Sequence, residues 1–365
     1  MKKKRYTRLK YIVTAAAVLF LFLPNAAVNS MQITARALIT AIGVDRTETG
    51  AYEVTAQLVL PQNSADKPQI QDFVVSGGRT AKDAVDGVTA KTGKRASLSH
   101  CKLLFLGESA LNENLTDSLD FFLRSPEVNG GLMLAAASGA AKDAVKKLSG
   151  FDKLSAFALP DFLSQNNTND LNSVVTLKDF ADGYYGGAGE LILPVLDITE
   201  KSGEGKEGAE LSQEFKTAVI KGGRLLKILD GRDTRRLMWL DKKAKTGTLT
   251  LENLGGGNEK VSLDIKKKRV KTKAVFRDGK PVYQISVFLN LSADERRGEI
   301  GTAAREQITA ELQGLYKECA DGDFDVMRIN ETFYRFKNKK YRAYKAAGGD
   351  ILKDCKLEIK VFPRF

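Results

Sequence analysis

Between residues 283 and 319 the hydrophobic period of this chain changes from two to about 3.6. Tyr283, Ile285, Val287, Leu289 and Leu291 alternate with Gln284, Ser286 and Asn290, as in a half-buried strand. Ile300, Ala304, Ile308, Leu312, Leu315 and Cys319 then recur at spacings of three or four, as on one face of a helix. Ser292 and Glu295 have the spacing of a capping box, which predicts a helix over 292–319. Both periods recur along the chain without a steady strand-helix-strand rhythm. The expected fold class is therefore α+β: mixed sheets with packed helices, in two to three α/β subdomains rather than a doubly wound sheet.

Strands are expected at 36–45 (RALITAIGVD) and 52–61 (YEVTAQLVLP), joined as a hairpin through the polar stretch 47–50. A polar loop follows at 63–69, and a short strand at 73–76. Thr80 caps a helix whose apolar face is Ala81, Ala84, Val85 and Val88, and Gly93 stops it. Apolar strands are expected at 103–106 and 132–137, and helices at 116–124 (N-cap Thr116), 140–148, 154–163 and 177–184. Pro194 marks 191–198 (LILPVLDI) as an edge strand, because proline donates no ladder bond. Residues 215–228 read as a hairpin around Gly222-Gly223, and 232–241 as an amphipathic helix with the only tryptophan, Trp239. Strands at 247–254 and 260–275 meet at Gly255-Gly256-Gly257. A helix lies within 325–344, and 356–362 closes as a strand.

The segment 199–210 (TEKSGEGKEGAE) has charge and glycine but no large apolar residue, so it reads as a linker. It separates an N-terminal α/β domain, 31–198, from a C-terminal α+β domain, 211–365. Charge divides the same way. Residues 31–200 carry 15 basic and 21 acidic side chains, and residues 201–365 carry 36 and 24. The second half is strongly basic, and such a domain accumulates near anionic surfaces.

Residues 1–30 set the expected compartment. Six Lys or Arg among residues 1–10 precede an uncharged apolar run, 11–23, which Pro24 and Asn25 end. Thirteen residues fit the core of a secretory signal and fall short of the roughly 20 needed to span a bilayer. The small residues 26–30, with Val28 and Ser30 at −3 and −1, offer a cleavage site; an uncleaved anchor is the alternative. The body is thus expected outside the cytoplasm, at a membrane.

Residues able to carry chemistry are few. His100 is the single histidine, beside Ser99 and Cys101. It reads as structural, since acid–base or nucleophilic work needs positioned partners. Cys101, Cys319 and Cys355 sit in apolar or amphipathic patterns and read as small core residues; a Cys319–Cys355 disulfide stays open. No CxxC or phosphate-loop spacing is present, so neither metal nor cofactor is expected. Asp321, Asp323 and Asp325 (DGDFD) lack the later Gly and Glu of a calcium loop and read as a helix-to-helix turn. The one dense cationic run is Lys266, Lys267, Lys268, Arg269, Lys271 and Lys273, the candidate contact with an anionic surface. Aromatic residues do not interleave with it as they do on a nucleic-acid stacking platform.

The order of several blocks resembles the Ger(x)C family, the C subunits of bacterial spore germinant receptors. ITAIGVD (39–45), YEVTAQLVLP, GGRT (77–80), KTGKRASLSHCKLLFLGESAL (91–111), DSLDFFLRSPEV (117–128), ELILPVLDI (190–198) and FKTAVIKGGRLLKILDGRDTRRLMWL (215–240) carry the resemblance, with the long helix after Ser292. Two departures stand out. Residues 22–35 contain no lipobox cysteine, and Tyr341 or Tyr344 stands where the family has a tryptophan. The resemblance implies a non-enzymatic subunit of the spore inner membrane with polytopic A and B subunits as partners. Without a germination role, the residues alone suggest an exported protein that binds anionic wall polymer or a membrane surface. A hydrolase would have only His100 as base.

Overall fold

The computed structural model describes residues 13–14, 35–60, 70–148, 155–168, 172–186, 190–200, 209–211, 214–254, 259–293 and 295–365. The cationic tail with most of its apolar run, the 63–69 loop, Gly255-Gly256-Gly257 and 201–208 lie outside the described residues. In chain order the elements are β1 (Arg36–Arg46), β2 (Tyr52–Leu60), β3 (Ile70–Gly78), α1 (Ala81–Thr92), β4 (Arg95–Ser97), β5 (Leu103–Leu106), α2 (Glu108–Leu111), α3 (Leu115–Arg124), β6 (Met133–Ala137), α4 (Ala141–Lys147), α5 (Ser155–Thr168), β7 (Val175–Thr176), α6 (Leu177–Tyr185), β8 (Leu191–Leu196), β9 (Ile198–Glu200), β10 (Ala209–Leu211), β11 (Lys216–Lys221) and β12 (Arg224–Leu229). They continue with α7 (Gly231–Met238), β13 (Gly247–Leu254), β14 (Glu259–Arg277), β15 (Lys280–Leu291), α8 (Arg297–Asp321), α9 (Ile329–Phe336), α10 (Asn338–Ala346), α11 (Ile351–Asp354) and β16 (Lys356–Arg364). The architecture is α+β, with mixed sheets and packed helices.

The large sheet runs β12-β11-β8-β6-β5-β1-β2-β3, with β4 on β1 and β7 on β6. Its centre is parallel (β8, β6, β5, β1) and its two ends are antiparallel hairpins. The all-apolar run Leu103–Leu106 is buried on both faces. Leu104 and Leu106 join one core with α1 and α3; Leu103 and Phe105 join the other with α4. Beyond the 199–210 segment, whose ends pair as β9 and β10, the chain returns to this sheet as the β11–β12 hairpin.

The second sheet, β13-β14-β15-β16, lays one face on α8. β11 is a wall shared with the first unit. Ala218 and Ile220 face the core of the large sheet, while Val219 faces that of the small one. The period-two alternation of a strand thus fastens two cores together.

Three local expectations are corrected. Pro194 is interior, between β11 and β6. The β6 ladder begins at Ala136↔Val195, one residue beyond the proline, so no β6 bond is asked of its nitrogen. The cap of α3 is Asn114, whose side chain accepts the Thr116 N–H at 3.2 Å. Ser292 and Glu295 form no capping box. The Ser292 N–H still bonds Asp264 across the sheet, and α8 starts only after Arg296 turns through a left-handed φ of 52°. Its guanidinium then holds Glu299 at 2.8 Å.

Candidate functional site

The cationic run lies on β14, a 19-residue strand paired with β15 along most of its length. Before Lys266, the inward residues are Leu263 and Ile265; after it they are Lys268, Val270 and Ala274. A register shift between Ile265 and Lys267 separates the two sets. One extra residue in one strand moves every later side chain to the opposite face.

Lys266, Lys267, Arg269, Lys271 and Lys273 are therefore exposed, and Lys268 is buried. This corrects the assignment of Lys268 to the contact surface. Its ammonium donates to the Met238 carbonyl at 2.5 Å and lies 5.5 Å from the Trp239 ring, while its amide donates to the Lys245 carbonyl at 2.6 Å. Lys268 is a core fastener between β14 and the end of α7.

Across the outer face the register runs in rows: Lys267, Asn290, Arg364; Arg269, Phe288, Phe362; Lys271, Ser286, Lys360; Lys273, Gln284, Glu358. Lys360 and Arg364 enlarge the cationic face; linear proximity gives no hint of them, because they arrive on β16. Phe288 and Phe362 stack with ring centres 4.9 Å apart, and the Lys271 ammonium lies 5.7 Å from the Phe288 ring. Phe362 remains 41% exposed, so the face is cationic around an apolar centre. Glu358 stands at one end. Gln284 and Arg277 hydrogen-bond it and hold its carboxyl below the usual range.

His100 and the three cysteines lie outside this face. His100 is exposed, and its Nδ1 is 3.0 Å from the Ser99 hydroxyl. All three cysteines are free and buried, which decides the open Cys319–Cys355 question against a disulfide. Burial pushes the Cys101 and Cys355 thiols up to about 12 and raises that of Cys319 as well. None is a thiolate near neutral pH. Among the described residues no three side chains are grouped as metal ligands, and no helix is long and apolar enough to cross a membrane.

The DGDFD acids point apart. Asp323 pairs with Lys221 at 2.8 Å and Lys353 at 3.5 Å. Asp325 is 1% exposed and accepts the N–H groups of Ile329 at 2.9 Å and Asn330 at 2.6 Å, which caps α9. Burial raises its carboxyl to about 6 despite those two bonds.

Residues 29–198 match the family described as "Spore germination protein N-terminal domain", and residues 216–361 match "Spore germination B3/ GerAC like, C-terminal". Spore germination protein B3 of Bacillus subtilis (strain 168) is 28% identical over 255 residues, 67% of this chain and 64% of that protein. The chain thus matches under two thirds of the length of B3. Spore germination protein KC of the same organism is 22% identical over 354 residues, 84% of this chain and 83% of that protein. The crystal structure of the GerBC protein superposes with a TM-score of 0.54 at 19% identity, over 88% of this chain and 96% of that one. Matched in order along both halves, the chain belongs to the Ger(x)C family of spore germination proteins.

Proposed function

We propose that this protein is a non-catalytic subunit of a spore germinant receptor and works by assembly at a membrane. The observation that carries the reading is the outer face of the small sheet. Lys267, Arg269, Lys271, Lys273, Lys360 and Arg364 surround the Phe288–Phe362 stack there, on a rigid four-stranded platform. Such a face attracts anionic headgroups over about a Debye length and offers an apolar contact once there. Polytopic A and B subunits are the proposed partners in the same membrane, and residues 1–30 the proposed tether. A role without catalysis fits an exposed histidine and three protonated, buried thiols.

The test is a germination assay in spores carrying Lys267→Glu, Arg269→Glu, Lys271→Glu and Lys273→Glu together, with vesicle co-sedimentation of the purified chain. The reading expects slower nutrient germination and weaker, salt-sensitive binding to anionic vesicles. Normal germination with unchanged vesicle binding would sink it.

The same face supports a second reading: an exported protein that grips anionic wall polymer without a germination role. Normal germination by the charge-reversed spores, with polymer binding lost, would favour that one.

A further inference from the structure

At the seam between the two sheets lies a cavity of about 350 Å³. Its inner wall is apolar, with Leu191 and Ile192 from β8 and Leu237, Met238 and Leu240 from the end of α7. More of the lining comes from one stripe of α9 and its cap. Arg328, Glu331, Thr332 and Arg335 follow the i, i+3, i+4, i+7 spacing of a single helix face. The other stripe of α9, Ile329 and Phe333, fills the core. The cavity is thus lined by both apolar and charged side chains.

Two features mark this space. The Ser173 hydroxyl, 3% exposed, lines the cavity and makes no hydrogen bond, while Glu331 Oε2 has only the Arg328 guanidinium, at 3.6 Å. Buried polar atoms left without a partner cost free energy, and each asks for an explanation. Arg328 also holds a left-handed φ of 58° at this wall, a conformation non-glycine residues avoid.

The charges at the mouth are loosely committed. Arg328 Nη1 is 3.6 Å and Arg335 Nη1 3.9 Å from the Glu331 carboxylate, beyond good hydrogen-bond distance. Their side chains are 58% and 71% exposed. Lys243 is engaged, with its ammonium 2.8 Å from Asp179 and 3.2 Å from the Val174 carbonyl.

We infer that this seam cavity is a binding site for a small organic carboxylate with a hydrocarbon body. Arg328 and Arg335 form the guanidinium pair for the carboxylate, and the Leu237, Met238 and Ile192 wall accepts the apolar part. Guanidinium is the side chain best matched to carboxylate geometry. The volume lies within the about 300–1,000 Å³ of small-molecule sites, which favour junctions between domains. A ligand here contacts both units at once, so its binding couples to how they are held together.

The experiment titrates hexanoate into the full chain held in lipid nanodiscs, with empty discs as blank and hexylammonium and hexanol as matched probes. Heat is the readout. The site predicts saturable one-to-one binding of hexanoate, at least about tenfold tighter than either matched probe. Arg335→Ala, a change at an exposed side chain, weakens it at least about tenfold. Leu240→Trp fills the cavity from a half-buried position and abolishes binding while the arginines stay. The proposal is overturned by the absence of saturable binding up to about 10 mM, by hexylammonium binding as well as hexanoate, or by an Arg335→Ala protein that binds as the unaltered chain does.

Discussion

The carboxylate of Asp45, near the end of β1, accepts the backbone N–H of Ala141 at 2.9 Å and so caps α4 from 96 residues away. Its second oxygen takes the N–H of Lys142 at 2.9 Å. The helix has no cap of its own, because Ala140 stands at its N-cap. Gly107 leaves the room: a methyl group there would come within 1.8 Å of Asp45 Oδ1 and 2.9 Å of the Ala141 nitrogen.

Removing this cap is expected to destabilise the protein. Asp45→Ala leaves two N–H groups of a buried helix end unmet and costs about 1–2 kcal/mol, with Asp45→Asn milder. Gly107→Ala pushes the carboxylate off the helix and costs a similar amount or more. Chemical denaturation of the three variants checks the order; an Asp45→Ala protein as stable as the original would refute the cap.

Asp325 gives the protein a pH signature. Its carboxyl titrates near 6 in the folded state against an ordinary 3.8. Below about pH 4 the group is protonated in both states and costs nothing. Between 4 and 6 the unfolded chain sheds the proton and the folded one keeps it, so stability falls as pH rises, and above 6 the loss is complete. At about 1.4 kcal/mol per unit, the loss is on the order of 3 kcal/mol. In Asp325→Asn this component of the decline disappears, and the difference between the two stability curves from pH 4 to 6 reads it directly. Parallel curves would contradict the burial argument.

Neighbouring lysines on β14 should behave in opposite ways. Lys268→Ala strands the Met238 carbonyl and opens space beside Trp239, at a cost of about 2–3 kcal/mol. Lys267→Ala changes stability by less than about 0.5 kcal/mol. Thermal melts that rank the two the other way would contradict the inward placement of Lys268.

The cysteines offer a chemical check. A thiol reagent applied without reductant should find none of Cys101, Cys319 and Cys355 reactive in the folded protein, and all three after denaturation. A single reactive thiol in denaturant would reveal a disulfide. Separately, a chain lacking residues 1–30 is expected in the soluble fraction of cells without other receptor subunits. Membrane-bound truncated protein would argue against the tether.

Elements that depend on near neighbours were legible from residue order. Thr80 does accept the Asp83 N–H at the start of α1, and Gly93 ends that helix in the left-handed region. Gly222 and Gly223 make the β11–β12 turn with φ of 59° and 81°. The stripe from Ile300 to Cys319 is the buried face of α8. Each is set by backbone freedom and by spacing along a single element, so it can be read without knowing what packs on it. Other features arise from segments distant along the chain. A bulge at Lys266 turned Lys268 inward, and β16 brought Lys360 and Arg364 into the same cross-strand rows as Lys271 and Lys267, one strand away. The caps from Asp45 and Asp325, and the stripe of α9 that faces the seam, depend on where distant segments meet. Local periodicity says which side of an element is apolar; only the assembled fold says what stands opposite it.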